Sequence, residues 1–163
     1  MSFPVEDAEM QFGETVKVYR RSRTRTGTAV TVQAVTSRGK TPVPTVNIEM
    51  AYWPPAEKTP RWGEKISVQV TKSELPVVAA VLAGLRQEMT AQYHGEEKNV
   101  GYSVSNFGRV LKVFRPGEAL EVELNEHEHY WLLDLVLSRL QACRPTATIS
   151  DLLNMLKITC SGR

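Results

Sequence analysis

A chain of 163 residues with 42% hydrophobic and 23% charged residues has the composition of an ordinary globular domain, which excludes a disordered polypeptide. No apolar stretch reaches the roughly 18 to 20 residues that cross a bilayer, and the acidic start (Glu6, Asp7, Glu9) lacks the basic residues of a signal peptide, so an intracellular, cytoplasmic protein is expected, nucleoid-associated in a bacterium. The net charge of +2 conceals an excess of eight positive charges between Thr15 and Lys72, a surface that either attracts polyanions or serves solubility.

Residues 1–12 read as a short acidic tail, because they show no sustained period and contain Pro4. After Gly13 the period becomes two. Val16 and Val18 alternate with Lys17, Tyr19 and Arg21 over Thr15–Arg21, the pattern of a strand with one buried face. Arg23–Gly27 is a polar turn, Ala29–Thr36 is rich in β-branched residues, and Ser37–Pro44 is a loop. Over Thr45–Trp53, the residues Val46, Ile48, Met50 and Tyr52 alternate with Asn47, Glu49, Ala51 and Trp53, after which Pro54, Pro55 and Pro60 end the strand. Lys65–Val70 supplies a fourth strand with Ile66, Val68 and Val70 on one side. The period changes at Thr71-Lys-Ser-Glu74, a capping-box spelling. Leu75, Val78, Leu82, Leu85 and Met89 then fall three and four apart, which predicts an amphipathic helix of about 18 residues with Pro76 in its first turn and Gly95 beyond its end.

The second half repeats this ending. Ile66–Thr71 followed by Glu74 aligns without gaps on Leu120–Asn125 followed by Glu128, an offset of 54 residues, so strand, N-cap and carboxylate recur. Lys98–Val104 and Arg109–Arg115 read as strands joined at a Ser105-Asn-Phe-Gly108 turn, which gives this unit three clear strands against four in the first. Its helix, Glu126–Ala142, is apolar on more than one side, from Tyr130 and Trp131 to Leu140, and must be covered twice. In Arg144–Arg163, Ser150 is a candidate N-cap before Leu152, Leu153, Leu156 and Ile158; this short helix, with little left to cover in its own domain, is an oligomerisation element or a lid on the preceding helix. The expected fold class is therefore α+β. A single domain, 13–163, holds two strand-strand-strand(-strand)-helix units with antiparallel sheets, residues 13–95 and 96–143, and a C-terminal oligomerisation segment, 144–163.

If the apolar strand faces pack on helices, the opposite faces are open, and alternation assigns them. The first unit exposes Lys17, Tyr19 and Arg21, Thr31 and Gln33, Asn47, Ala51 and Trp53, and Lys65, Ser67 and Gln69; the second exposes Val110, Lys112 and Phe114. Phosphates are met by Lys and Arg, unstacked bases by aromatic faces, and base edges by amides and hydroxyls, so the mixture suits a single strand better than a duplex. Arg20, Arg21, Arg23 and Arg25 at a hairpin tip can engage successive phosphates, and Arg38 and Lys40 beside Gly39 can do the same. Arg61 and Trp62 join the candidate set from the proline-rich loop, where Trp62 could also simply anchor the loop.

No catalytic residue, metal site or cofactor is expected. His127 and His129 stand two apart rather than at helical ligand spacing, His94 lies alone, and Glu121, Glu123, Glu126 and Glu128 suit a helix N-terminus better than a cation site. The chain contains no GxxxxGK[ST], GxSxG or HExxH. Cys143 and Cys160 lack paired spacing and read as buried or idle thiols.

Strands ending in TKSELPVVAAVLAGL, then further strands ending in LNEHEHYWLLDLVL, resemble the Whirly proteins and the related single-strand-binding domain of transcriptional positive cofactor four. The resemblance covers Thr15 to Ala142 and rests on element order and the strand-to-capped-helix junctions. It implies units of four antiparallel strands and a helix, and sequence-independent binding of single-stranded DNA in replication, recombination, repair or transcription; some relatives bind guide RNA. The chain departs from plant Whirly proteins in lacking their lysine-glycine-lysine strand motif, and its second unit is more acidic. The expected function is single-stranded DNA binding by a homodimer or higher oligomer formed through 126–142 and 144–163. An RNA-binding form of the scaffold (guide or messenger RNA) and a non-enzymatic module whose basic face meets an acidic protein remain alternatives.

Overall fold

A computed structural model describes residues 14–160, and the expected tail 1–12 lies outside them. The first sheet is the meander β1 (Thr15–Arg20), β2 (Gly27–Thr36), β3 (Pro44–Trp53), β4 (Ile66–Gln69); the second is β5 (Glu88–His94), β6 (Val100–Ser105), β7 (Val110–Arg115), β8 (Glu118–Glu123). Helix α1 (Leu75–Leu82) follows the first sheet, and α2 (Glu126–Cys143) and α3 (Ile149–Cys160) follow the second. The α+β class with two antiparallel sheets and a short C-terminal helix is the one the sequence predicts.

The helix after the first sheet has 8 residues, not about 18. It stops because Gly84 takes a left-handed φ of +77°, and because its last carbonyls are capped from outside: Asn106 Nδ2 donates to Val81 O at 2.8 Å and His129 Nε2 donates to Leu82 O at 2.6 Å. Met89, assigned by its spacing to the helical stripe, instead alternates with Ala91 on the buried face of β5. The second unit therefore has four strands rather than three, the expected division at 95/96 falls inside the β5–β6 hairpin, and Gly95 is a hairpin residue rather than a helix stop.

Both strand-to-helix junctions form as spelled. Thr71 N–H donates to Glu74 Oε1 at 3.1 Å and Glu74 N–H to Thr71 Oγ1 at 3.3 Å; Asn125 N–H donates to Glu128 Oε1 and Glu128 N–H to Asn125 Oδ1, both at 2.9 Å. The 54-residue offset is thus a repeat of geometry as well as letters.

The inner faces of the two sheets meet in one core. Val18, Val30, Ile48, Met50, Ile66 and Val68 from the first and Met89, Tyr102, Val104, Leu111, Val113 and Leu120 from the second pack with Leu75 and Val81 of α1 and Leu135 and Val136 of α2. Each such side chain contributes roughly 1.5–3 kcal/mol by leaving water. Tyr102 is fully buried and donates to Glu74 Oε1 at 3.0 Å, while Glu74 Oε2 faces His94 Nε2 at 3.0 Å, so one carboxylate joins the start of α1 to the second sheet. Burial and that carboxylate hold the Tyr102 phenol far above its ordinary pKa, which keeps it a donor. In the tail the N-cap differs from the one expected, and of the two roles expected for its helix the packing agrees with a lid. Thr148, not Ser150, caps α3, in a reciprocal pair with Asp151, and Leu152 and Leu156 are buried, so α3 covers α1 and α2 within its own chain.

Candidate nucleic-acid interface

Strand register sets the outer face of the first sheet in rows. Gln33 lies beside Asn47 and Asn47 beside Gln69; Lys17 beside Thr31, Thr31 beside Glu49, and Glu49 beside Ser67; Tyr19 beside Ala29 and Ala29 beside Ala51. The alternation thus assigns this face correctly. Ala29 and Ala51 share it yet are 0% and 1% exposed, because larger side chains close over this end of the sheet. The rings gathered there are Tyr19, 44% exposed, Trp53 at 5.8 Å edge-on to it, and Trp62 at 6.4 Å. Trp62 reaches the cluster from a 3-10 turn at Trp62–Glu64.

One backbone carbonyl organises the cationic edge of this cluster. Glu57 O accepts from Trp53 Nε1 and from Arg21 Nη2, both at 3.0 Å, and the Arg21 guanidinium lies 5.2 Å from the Trp53 ring centroid. Arg23 and Arg25 follow in the exposed β1–β2 hairpin, and neither they nor Lys17 make an ion pair among the described residues. The backbone amides of Thr24 and Arg25 donate to Ser22 Oγ at 3.3 and 3.1 Å, which shapes the tip.

Five other candidates are placed differently. Arg20 shares the face of Val16 and Val18: its Nη1 donates to Glu128 Oε2 at 2.9 Å, Nη2 contacts the other oxygen of Glu128, and Nη2 donates to Glu123 O at 3.1 Å. It straps β1 to the N-terminus of α2 and is not free for phosphate. The Arg20 hydrogen bond outweighs partial burial and holds the Glu128 carboxyl below its usual range, with the Asn125 N–H adding to the effect. Lys65 pairs with Glu49 at 2.6 Å, and Arg61 pairs with Glu57 at 3.0 Å and Glu64 at 3.7 Å, so both are partly neutralised. Arg38 and Lys40 sit in the exposed β2–β3 loop, at the far end of two 10-residue strands from the basic hairpin, on the order of 30 Å away.

The second sheet presents a different outer face. Lys112 and Phe114 are on it as predicted, but Lys112 lies opposite Glu121, and Val110 opposite Glu123. The Phe114 ring covers Gly101 so closely that a Cβ there would stand 2.5 Å from it, so this ring packs on its own sheet. Tyr52, expected in the core, is 36% exposed and donates to Ala119 O at 3.4 Å where the sheets meet. Trp131 and Tyr130 on α2 are 57% and 61% exposed and stack edge-on, so of the core and interface placements open to Trp131 the core is excluded. Cys143 is exposed and donates to Pro44 O at 3.4 Å, and Cys160 is half-buried; the partial desolvation of the Cys143 thiol outweighs the nearby Arg139 and Lys72 charges and pushes it up. No group of three metal-ligating side chains comes together among the described residues.

The architecture, two four-stranded antiparallel sheets each followed by a capped helix, is Whirly-like. No protein-family model matches the sequence, and no characterised protein matches it significantly. Solved structures share the fold. MRP1/MRP2 of Trypanosoma brucei covers 87% of this chain and 94% of its own at a TM-score of 0.61 and 18% identity. The plant transcriptional regulator PBF-2 covers 92% and 96% at a TM-score of 0.54 and 12% identity.

Proposed function

We propose that this chain is a non-enzymatic protein that binds single-stranded nucleic acid, DNA in the first instance, across the outer face of its first sheet. The observation that carries the proposal is the Tyr19–Trp53–Trp62 ring cluster, edged by Arg21 over Trp53 and by Arg23 and Arg25, which make no ion pair among the described residues. Bases stack on such rings for roughly 1–3 kcal/mol each whatever their identity, and guanidinium groups meet the phosphates between them. The shared fold of a protein described as a transcriptional regulator supports the reading. Self-association through the exposed Tyr130 and Trp131 of α2 and the outward Ile149, Met155 and Ile158 of α3 belongs to the same proposal.

The test is fluorescence anisotropy with labelled oligo-dT, oligo-U and a duplex at two salt concentrations. Tightest binding is expected for oligo-dT. The variant Arg21→Ala/Arg23→Ala/Arg25→Ala is expected to lower the slope of log affinity against log salt by about 2, since each lost contact to a single strand removes roughly 0.7. An unchanged slope removes the basic hairpin from the site, and equal affinity for the duplex removes the single-strand reading.

A further inference from the structure

The turn between β6 and β7 carries Phe107, 90% exposed and the most exposed large apolar side chain among the described residues. Turn chemistry does not call for it, because Asn106 and Gly108, at φ +77°, already fill the polar and left-handed positions. The tip is nonetheless fixed in place. Asn106 N–H donates to Gln87 O and Asn106 Nδ2 to Val81 O, both at 2.8 Å, and Ser105 Oγ donates to Phe107 O at 3.0 Å. Beside the ring, between the tip and the segment leaving α1, lies a cavity of about 700 Å³ lined by Arg86, Gln87 and Ser105 among others, within the range of small-ligand sites. Arg86 donates through Nε to Glu88 O at 3.0 Å, and its two terminal nitrogens have no partner among the described residues. Two C-terminal carbonyls of α1, at the end that disfavours an anion, are already taken by Asn106 and His129.

We infer that this cavity is a nucleotide subsite of the second unit: one unstacked base lies against the Phe107 ring, Gln87 meets a base edge, and Arg86 meets the adjoining phosphate. A rigid ring, an amide and a guanidinium in one cleft supply the three chemistries that a nucleotide presents. The subsite rests on the single-strand function proposed above and extends it. Arg20 donates to Glu123 O, and Glu123 lies opposite Val110 at the root of the Phe107 hairpin. At about 4.8 Å between strands the cavity, beside Glu88 on β5 and three strand spacings from β8, is on the order of 20–25 Å from the basic hairpin, beyond the reach of a short oligonucleotide seated on the rings.

Anisotropy with oligo-dT of about six and about eighteen nucleotides separates the two sites, because only the longer reaches both. Phe107→Ala and Arg86→Gln are each expected to weaken the longer oligonucleotide roughly five- to tenfold and to leave the shorter within about twofold, whereas Phe107→Trp, which keeps a stacking face, retains affinity. An unchanged melting temperature for Phe107→Ala shows that the exposed tip folds as before. If Phe107→Ala binds the longer oligonucleotide as tightly as wild type while the Arg21/Arg23/Arg25 variant loses affinity, the subsite is overturned and the proposed function stands. If the wild-type protein binds neither oligonucleotide, both are overturned.

Discussion

The outer face of the first sheet carries Lys17 and the Tyr19 and Trp53 rings, joined by Trp62 from the following loop, whereas the outer face of the second carries Glu88, Lys112, Glu121, Glu123 and a Phe114 ring lying over Gly101. Beneath these faces the units are alike: four antiparallel strands, an inner row of Val, Leu, Ile and Met, and a capping box that turns the chain into a helix. The inner residues answer to packing and are held to one pattern in both copies. The outer residues answer to water or a partner, so the two copies are free to diverge there, and binding chemistry is to be sought where they differ most.

The comparison breaks most readily at the rings. Tyr19→Ala with Trp53→Ala is expected to weaken single-strand binding by about 2–4 kcal/mol, the two rings being in contact and their losses therefore not simply additive. Phe114→Ala is expected to leave affinity unchanged, and equal losses from the two sheets would erase the distinction. A second probe concerns stability alone. A methyl group at Gly101 would meet the Phe114 ring at 2.5 Å and Ala91 O at 2.6 Å, so Gly101→Ala should cost about 2 kcal/mol in thermal or denaturant unfolding without altering binding. Because Ala91 O is backbone, adding Phe114→Ala should recover only part of that loss.

Arg20→Met tests whether one arginine of the hairpin run serves the fold rather than the ligand. Its side chain is 41% exposed, so solvent screening leaves the Glu128 strap worth about 1 kcal/mol, and binding should be little changed. Glu128 titrates below the ordinary carboxylate range in the folded chain, so the strap is whole above the unfolded pKa and is lost as pH falls through the folded one. The stability gap between wild type and Arg20→Met should therefore be constant near neutrality and shrink below about pH 4, as urea denaturation at stepped pH would show. The smallest effect is expected from Glu121→Lys/Glu123→Lys. Reversing charge on the second sheet should raise single-strand affinity a few-fold at low salt, about 0.5–1 kcal/mol, and steepen the salt dependence. No gain would mean that the strand never approaches that sheet.

What the sequence disclosed follows the range over which its signals act. The two capping boxes span four residues each and form as spelled, and alternation in β1–β4 sorted the outer face correctly because no bulge interrupts that sheet. Arg20 shows a rule set aside: alternation placed it with Val18, and only the charge run drew it into the site. The helix after β4 was overextended because Met89 satisfies both a spacing of four from Leu85 and an alternation with Ala91, and Gly84 was the stop signal available to decide between them. The pairings of Lys65 with Glu49 and of Lys112 with Glu121 depend on strand register, which no local pattern specifies. Ala29 and Ala51 were a usable hint, since small residues level with Tyr19 make room for rings to fold inward.

The root of the basic hairpin is pinched: a side chain at Gly27 would stand 1.8 Å from Arg20 O, so the two strand ends are drawn together below a tip that carries Arg21, Arg23 and Arg25 within five residues. The consequence is kinetic. Cations gathered at a single prow form a far-reaching field that hastens encounter with a polyanion and fades with ionic strength, while the rings behind it act only at contact. Salt should thus slow arrival more than it hastens departure, and loss of the rings should do the reverse.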